Sequence, residues 1–175
     1  MEGKNLMRKT AEFLAAVALA ALFFVTWSAL AGPNRLPDRV PTHFDAAGTP
    51  NAWGSPGAII LLPVIACAVY LLITVVAFFP QSFNYPVRVT PLNRARLQQI
   101  TLSMVTWIKA EIVALFATLQ WVYVQAARTN DGSLFPRVLP VSLVVIFGTL
   151  AIAFAALFRA AASRPPAPND PIEPE

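Results

Sequence analysis

The sequence predicts an all-α integral membrane protein, a four-helix bundle with a proline-rich extracytoplasmic loop between helices 1 and 2. Three observations support this prediction. Of the 175 residues, 57% are hydrophobic and only 13% are charged, whereas soluble domains carry about 25% charged residues. Four apolar blocks are long enough to cross a hydrocarbon core of about 30 Å. One long polar stretch, residues 36–56, separates the first two blocks.

The first predicted helix is the apolar block 11–31, which follows a short basic N-terminus, residues 1–10. A basic start before an apolar run also describes a cleavable signal peptide. The block is long for a signal peptide, and Trp27 near its far end is typical of a residue at a membrane interface. An uncleaved transmembrane helix is therefore the favoured interpretation.

Cap residues predict where the later helices begin. Ser55 before Pro56 is typical of an N-cap followed by proline in the first turn, and it opens the second block, 56–79. Thr90-Pro91 repeats the pattern, so the third helix should start before its apolar block, 100–127. A turn at Asn130-Asp131-Gly132 leads to the fourth block, 138–158.

These blocks place a transmembrane domain at residues 11–160 and a tail at 161–175. The tail is rich in proline and acidic residues, a composition that cannot bury a core, so a disordered cytoplasmic tail is expected.

The distribution of basic residues predicts the orientation in the membrane. One side holds eight of them: Lys4, Arg8, Lys9, Arg88, Arg94, Arg96, Arg159 and Arg164. The other side holds four: Arg35, Arg39, Arg128 and Arg137. Because loops rich in Lys and Arg stay in the cytoplasm, both termini are expected there and the loop 32–55 outside.

The outer loop has the composition of a stiff surface element. Prolines restrict its backbone, and Gly48 after Asp45-Ala46-Ala47 signals a turn. His43 and Asp45 would point to the same side of an extended segment, so the carboxylate could fix the imidazole tautomer. His43 either hydrogen-bonds the loop backbone and holds the loop on the helix ends, which is the favoured interpretation, or contacts a ligand. Phe44 and Trp53 either anchor the loop at the membrane interface or line a recognition groove. The candidate residues for a structural or recognition role are Pro37, Pro41, His43, Phe44, Asp45, Gly48 and Trp53.

Two ionisable residues lie inside the third apolar block. Lys109 and Glu111 each cost about 2.5–3.5 kcal/mol at a bilayer centre. Residues two positions apart on a helix point in directions that differ by about 200°, so Lys109 and Glu111 need separate partners. Glu12 of the first helix could pair with Lys109, although Arg8 competes for it, and Glu111 could be protonated or bonded to a Thr or Ser of another helix. Helix packing and proton or ion handling are both consistent with this pattern.

The composition also bears on which functions are expected. The basic residues are scattered among apolar blocks, so no nucleic-acid partner is expected. His43 is the one histidine and Cys67 lies within an apolar block, so we expect neither a metal site nor a cofactor. No nucleophile motif accompanies His43, so we do not expect an enzyme. Small residues in the first and fourth helices allow close packing in a bundle or in a homo-oligomer.

Two motifs carry a resemblance to a known family. The first runs from Leu36-Pro37-Asp38-Arg39-Val40-Pro41-Thr42-His43-Phe44 through Gly48-Thr49-Pro50 to Trp53-Gly54-Ser55. The second, a candidate cytoplasmic motif, comprises Asn84, Tyr85, Pro86, Thr90 and Asn93. Over residues 36–125 the chain resembles the bacterial membrane family called domain of unknown function 1648. Asn51 departs from it, since an acid is common there.

The resemblance implies a location and a role. It implies a multi-pass protein of the bacterial cytoplasmic membrane, related to the immunity protein against the sporulation-delay toxin. The favoured hypothesis is binding or sensing of an extracytoplasmic peptide or protein partner through residues 36–56. The alternative is a small transporter, or a subunit of one, that uses Lys109 and Glu111.

Overall fold

Four long helices and one β-hairpin make up the structure. The computed structural model describes residues 2–162, with side chains from Asn5 onwards. The helices are α1 (Glu2–Leu30), α2 (Leu61–Ala77), α3 (Arg94–Thr129) and α4 (Phe135–Ala162), and the hairpin strands are β1 (Val40–Phe44) and β2 (Pro50–Gly54). The hairpin lies between α1 and α2 in the chain. The predicted tail falls almost entirely on residues 163–175, which lie outside the described part.

The chain is a multi-pass membrane protein. Four segments are long and apolar enough to cross a membrane: Asn5–Leu30, Pro56–Ala77, Arg94–Thr129 and Phe135–Ala162. Side chains on their outer faces, such as Phe23 and Leu72, are exposed and apolar. A lipid solvent accounts for this surface, since a water-soluble bundle would carry polar residues there. The predicted all-α membrane bundle is confirmed.

The helices extend beyond the apolar blocks that predicted them. α1 begins at Glu2, ahead of its apolar block at residue 11, and α3 begins at Arg94, ahead of its block at residue 100 as predicted. Hydropathy marks only the part of a helix that lies in hydrocarbon, whereas a helix can continue through polar residues into the adjoining layer. The second block differs in kind, because Pro56–Ile60 forms a 3₁₀ turn before α2.

Helix α3 is the centre of the bundle. It packs against α1, α2 and α4. Lys109 of α3 contacts Glu12 of α1, and Gln120, further along α3, contacts Thr26, further along α1. The two helices therefore run parallel. We call the end that carries β1 and β2 the hairpin end, and the opposite end, which carries the N-terminus, the N-terminal end.

The capping predictions can be checked against individual hydrogen bonds. Ser55 caps the 3₁₀ turn, because its hydroxyl accepts from the N–H of Gly57 at 3.3 Å. Thr90 and Asn93 cap each other reciprocally: Asn93 Oδ1 accepts from the N–H of Thr90 at 2.8 Å, and Thr90 Oγ1 accepts from the N–H of Asn93 at 3.3 Å. The predicted cap at Ser55 is confirmed, whereas the N-cap residue of α3 is Asn93, three residues after the predicted Thr90. Reciprocal bonds of this kind satisfy donors that a helix start leaves open.

A proline in α2 is compensated by a side chain of α3. Pro63 has no N–H, so the carbonyl of Ile59 lacks its usual donor four residues along the helix. The side chain of Gln120, which is fully buried, donates from Nε2 to this carbonyl at 3.2 Å and to Thr26 Oγ1 at 2.8 Å. One amide therefore ties α1 and the start of α2 to α3. In hydrocarbon, such freed backbone groups must be satisfied within the protein.

This arrangement generates a prediction about Gln120. The substitution Gln120→Leu should destabilise the bundle by about 1–2 kcal/mol, because it leaves the Ile59 carbonyl buried without a donor. Restoring the backbone donor with Pro63→Ala in the Gln120→Leu background should recover part of the loss. Unfolding in mixed micelles of increasing SDS content measures both effects. If Pro63→Ala gives no recovery, the compensation between these two residues does not operate.

Candidate functional site

The outer loop folds as a β-hairpin, a structure that the sequence analysis did not predict. β1 and β2 are antiparallel, with Val40 opposite Gly54 and Phe44 opposite Pro50. The pairing is irregular on both sides of His43. Pro41 and Pro50 cannot donate to the sheet, which restricts such residues to edge strands, and a two-stranded ribbon consists of edges only. The prolines weaken the strand signal in the sequence, but they are compatible with the edge strands that form here.

Asp45 and Gly48 build the tip of the hairpin. The carboxylate of Asp45 accepts through Oδ1 from the N–H groups of Ala47 and Thr49, both at 2.9 Å. Gly48 has a φ of +84°, in the left-handed region that glycine adopts at little cost. Asp45 thus organises the turn and does not contact the imidazole. The contact between Asp45 and His43 that the sequence suggested is not formed: the Asp45 carboxylate bonds to the turn N–H groups, and His43 bonds to the side chain of Asn51.

The tip is docked on the turn between α3 and α4. The N–H of Gly132 donates to the Gly48 carbonyl at 2.9 Å. The rings of Phe44 and Phe135 lie 5.1 Å apart and tilted, a favourable arrangement for aromatic pairs. A Cβ at Gly132 would meet the Phe44 ring at 2.6 Å, so close approach requires glycine here. Phe44 therefore packs on protein at the tip of the hairpin, and its position relative to the membrane interface stays a prediction.

The turn that receives the hairpin has its own internal support. Asn130 ends α3 in the left-handed conformation, with a φ of +55°, as helix ends often do. Asp131 accepts from the N–H and the hydroxyl of Ser133, and these hydrogen bonds lower the pKa of its carboxyl group. The predicted turn at residues 130–132 is confirmed.

The stem of the hairpin is held by α3 and by an apolar cluster. Tyr123 donates its hydroxyl hydrogen to the Pro41 carbonyl at 2.7 Å, and Arg128 donates from Nη2 to the Asn34 carbonyl at 2.9 Å. Beneath these bonds lies a buried cluster that joins the loop to three helical segments: Ala29, Leu36, Val40, Ile59, Val124 and Ala127. Polar and apolar contacts thus hold one side of the hairpin against the bundle.

The opposite side of the hairpin is exposed. His43 and Asn51 face each other across the strands and are joined by a hydrogen bond between Nδ1 and Oδ1. Trp53 is 44% exposed and lines a shallow cavity with Arg39. An imidazole, an amide, an indole and a guanidinium are therefore presented together on a rigid frame. Pro37, the remaining candidate residue of the loop, is also exposed.

The second candidate motif lies at the N-terminal end. Asn84 and Pro86 are exposed, while Tyr85 packs against a cluster that contains Leu97 and Leu157. Burial raises the pKa of Tyr85 above its usual value, and the nearby charge of Arg94 opposes this effect. Thr90 and Asn93 form the reciprocal cap described above. This motif connects α2 to α3 and fixes the start of α3.

Lys109 is enclosed by groups from α1 and α2. Its ammonium lies 2.8 Å from both carboxylate oxygens of Glu12 and 3.1 Å from Thr74 Oγ1. The ring of Tyr70 lies 4.6 Å away and adds a cation–π contact. Lys109 is 2% exposed, whereas Glu12 is 46% exposed. Glu12, which the sequence offered as a partner, therefore neutralises the buried charge.

Glu111 lies on the other side of α3. Its Oε1 accepts a hydrogen bond from the hydroxyl of Thr149 on α4, the kind of partner that the sequence analysis suggested. Its Oε2 is buried and has no hydrogen-bond partner among the described residues. Lys109 and Glu111 thus belong to separate contacts, one with α1 and α2 and the other with α4.

Sequence reasoning missed Gln120, Tyr123 and Gly132. Gln120 and Tyr123 are uncharged, so a search for ionisable groups in apolar blocks passes over them. A glutamine in the middle of such a block is nevertheless costly without a partner, and this signal could have identified Gln120. The role of Gly132 depends on a contact with Gly48, which is distant in the chain and leaves no local pattern.

The close approach of two glycines gives a prediction for the hairpin. Gly48→Ala should release the tip at a cost of about 2 kcal/mol or more, because alanine is strained at positive φ and its Cβ would lie 2.5 Å from the Gly132 carbonyl carbon. Faster proteolytic cleavage at residues 45–49 is the expected readout. Gly57→Ala is the matched control, since its nearest atom would be Ser55 Oγ at 3.6 Å. Equal cleavage rates in the two variants would contradict the proposed docking.

The unequal burial of the ion pair predicts an unequal response to substitution. Glu12→Ala should cost about 3 kcal/mol or more, because it leaves a buried ammonium without its carboxylate. Lys109→Met should cost less, since Glu12 is half exposed and lies near the N-terminal end of α1, within reach of water. The double variant should be more stable than Glu12→Ala alone, as measured by unfolding in detergent. If removing Lys109 is the more damaging change, this account of the pair is wrong.

Comparisons with known proteins agree with the coarse description of the chain. The family model of domain of unknown function 1648 matches residues 16–67, which extend from the middle of α1 through the hairpin into α2. An uncharacterized protein of Archaeoglobus fulgidus is 39% identical over 93 residues. That alignment covers 48% of this chain and 46% of the relative, so the chain matches less than half of the relative's length. No solved structure matches. The chain is thus a multi-pass membrane protein whose hairpin lies within a match to a domain of unknown function.

Proposed function

We propose that this chain is a receptor-type protein of the bacterial cytoplasmic membrane that recognises an extracytoplasmic peptide or protein through residues 36–56. Its termini lie in the cytoplasm and its hairpin outside. The distribution of Lys and Arg supports this orientation: the described N-terminal end carries Arg8, Lys9, Arg88, Arg94, Arg96 and Arg159. The family resemblance supports the bacterial location.

One observation carries the proposal: the hairpin is docked on one side and presents a set of recognition-type side chains on the other. Tyr123, Arg128 and Gly132 hold the docked side. His43, Asn51 and Trp53 lie on the exposed side. A loop that served only to connect α1 with α2 would not need bonds to a distant turn. The frame instead places these side chains in fixed positions.

A fixed frame favours binding for a thermodynamic reason. Ordering a flexible loop on association costs about 0.5–1.5 kcal/mol for each immobilised side chain. The hairpin has already met most of that cost on folding. Tryptophan and arginine, here Trp53 and Arg39, are enriched among residues that dominate binding energy. The exposed face is therefore suited to a peptide or protein that buries an indole and meets a guanidinium.

Two narrower functions were considered from the sequence. Immunity against a peptide toxin is one form of such recognition, and it rests on the family resemblance alone. Transport through Lys109 and Glu111 stays a prediction, and the geometry favours it less because Lys109 is held by Glu12, Thr74 and Tyr70. Recognition through the hairpin agrees better with the contacts of the described residues.

A crosslinking experiment tests orientation and recognition together. With Cys67 replaced by alanine, Ala52→Cys places a thiol on the exposed strand β2 beside Trp53, and Leu92→Cys places one at the N-terminal end, where Leu92 is 74% exposed. A membrane-impermeant thiol crosslinker added to intact cells should react at residue 52 and not at residue 92. It should also join residue 52 to a partner of defined mass.

Matched tryptophan variants make the result specific. Trp53→Ala should abolish the partner adduct, whereas Trp121→Ala, which removes a tryptophan of similar exposure, 47%, should leave it. Both variants should reach the membrane in normal amounts. An adduct that survives Trp53→Ala would exclude the hairpin from recognition, and reaction at residue 92 alone would reverse the orientation.

A further inference from the structure

Among the side chains described, the ion pair of Lys109 leaves a second cation, Arg8, without a carboxylate partner. Arg8 lies four residues before Glu12 on α1, the spacing at which helix side chains of opposite charge usually pair. Both oxygens of Glu12 are bonded to Lys109 instead. Arg8 is partly buried, and its Nε is buried with no hydrogen-bond partner among the side chains described. A buried guanidinium nitrogen without an acceptor is costly, so this site favours an external anion.

A cavity lies beside this guanidinium. It has a volume of about 340 Å³ and is lined by Asn5, Arg8, Lys9 and Glu12. These residues occupy one face of α1 over two turns, since they follow the spacing i, i+3, i+4, i+7. The lining therefore offers a guanidinium, an ammonium and an amide, all hydrogen-bond donors. The carboxylate of Glu12 is neutralised by Lys109 and repels an anion less than a free carboxylate would.

The side chains around the cavity indicate which class of molecule would supply an anion. On the same turn of α1, Leu6 is 66% exposed and Met7 is 53% exposed. The next turn exposes Phe13. Large apolar side chains beside basic ones are typical of the boundary between hydrocarbon and lipid head groups. The donors are therefore flanked by the kind of side chains that border lipid head groups.

We propose that Asn5, Arg8 and Lys9 bind the phosphate of an anionic phospholipid. The guanidinium of Arg8 donates to phosphate oxygens in a forked arrangement that matches their geometry. Lys9 adds a second charge and Asn5 an amide donor. The acyl chains lie against the exposed apolar face of α1. This site is at the N-terminal end, away from the hairpin, and does not depend on the function proposed for the hairpin.

The test uses the full-length protein in a neutral detergent. Phosphatidylglycerol, phosphatidylcholine and inorganic phosphate are titrated separately, and bound lipid is counted by native mass spectrometry while the unfolding temperature is followed. Phosphatidylglycerol should bind and stabilise the protein, and the other two should not. Arg8→Gln should weaken phosphatidylglycerol binding about fivefold, the effect of one basic residue near an anionic surface. Lys9→Gln should act in the same direction.

Arg96→Gln is the matched control, because it removes one exposed charge from the N-terminal end without touching α1. It should leave the affinity for phosphatidylglycerol within about twofold of the parent, since the phosphate is not bonded to it. Equal losses from Arg8→Gln and Arg96→Gln would overturn the site in favour of general charge attraction. If inorganic phosphate alone reproduces the stabilisation and its dependence on Arg8, the ligand is a soluble phosphate and the lipid assignment is wrong.

Discussion

The structure depends on one constraint: the buried nitrogen donors of α3, the ammonium of Lys109 and the amide of Gln120, must find acceptors within the protein. In hydrocarbon no water is present to replace a missing hydrogen bond. Lys109 meets this requirement with Glu12, and Gln120 meets it with Thr26 and Ile59. These bonds lie at successive levels of the same helix pair. Sliding α1 along α3 by one turn would break the Lys109–Glu12 and Gln120–Thr26 bonds together. These polar residues therefore fix the register between the two helices, which apolar packing alone specifies loosely.

The same helix positions the exposed hairpin. Tyr123 and Arg128, near the end of α3, bond to backbone carbonyls at Pro41 and Asn34. Because the acceptors are backbone carbonyls, these bonds position the backbone of the loop and not only a side chain. The turn after α3 then meets the tip through Gly132 and Phe135. The shape of the hairpin is therefore determined by residues far from it in sequence.

Local patterns and long-range contacts differ in what a sequence reveals. The cap at Ser55 and the turn at Thr90 before α3 were predictable because their hydrogen-bond partners lie two or three residues away. The separation of Lys109 from Glu111 followed from the helical angle between them. The hairpin was missed because Pro41 and Pro50 weaken the strand pattern, and because its docking surface is formed by Gly132 and Phe135. No nearby residue signals such a contact.

The pairing of charged side chains around α1 also follows from these bonds. Lys109 must be neutralised where it is buried, and Glu12 is the carboxylate that α1 supplies at that level.

Glu12 bonds to Lys109, and the Nε of Arg8, which has the spacing of a helix ion pair with Glu12, has no hydrogen-bond partner among the described residues. The intramembrane pair thereby sets the electrostatic character of the cavity at residues 5–12. A charge inside the bundle and an anion at its edge are linked through a single carboxylate.

A helix of 36 residues such as α3 is about 54 Å long at ~1.5 Å per residue, longer than the ~30 Å hydrocarbon core. It therefore connects the hairpin, which it contacts through Tyr123 and Arg128, to the N-terminal end in one continuous helix.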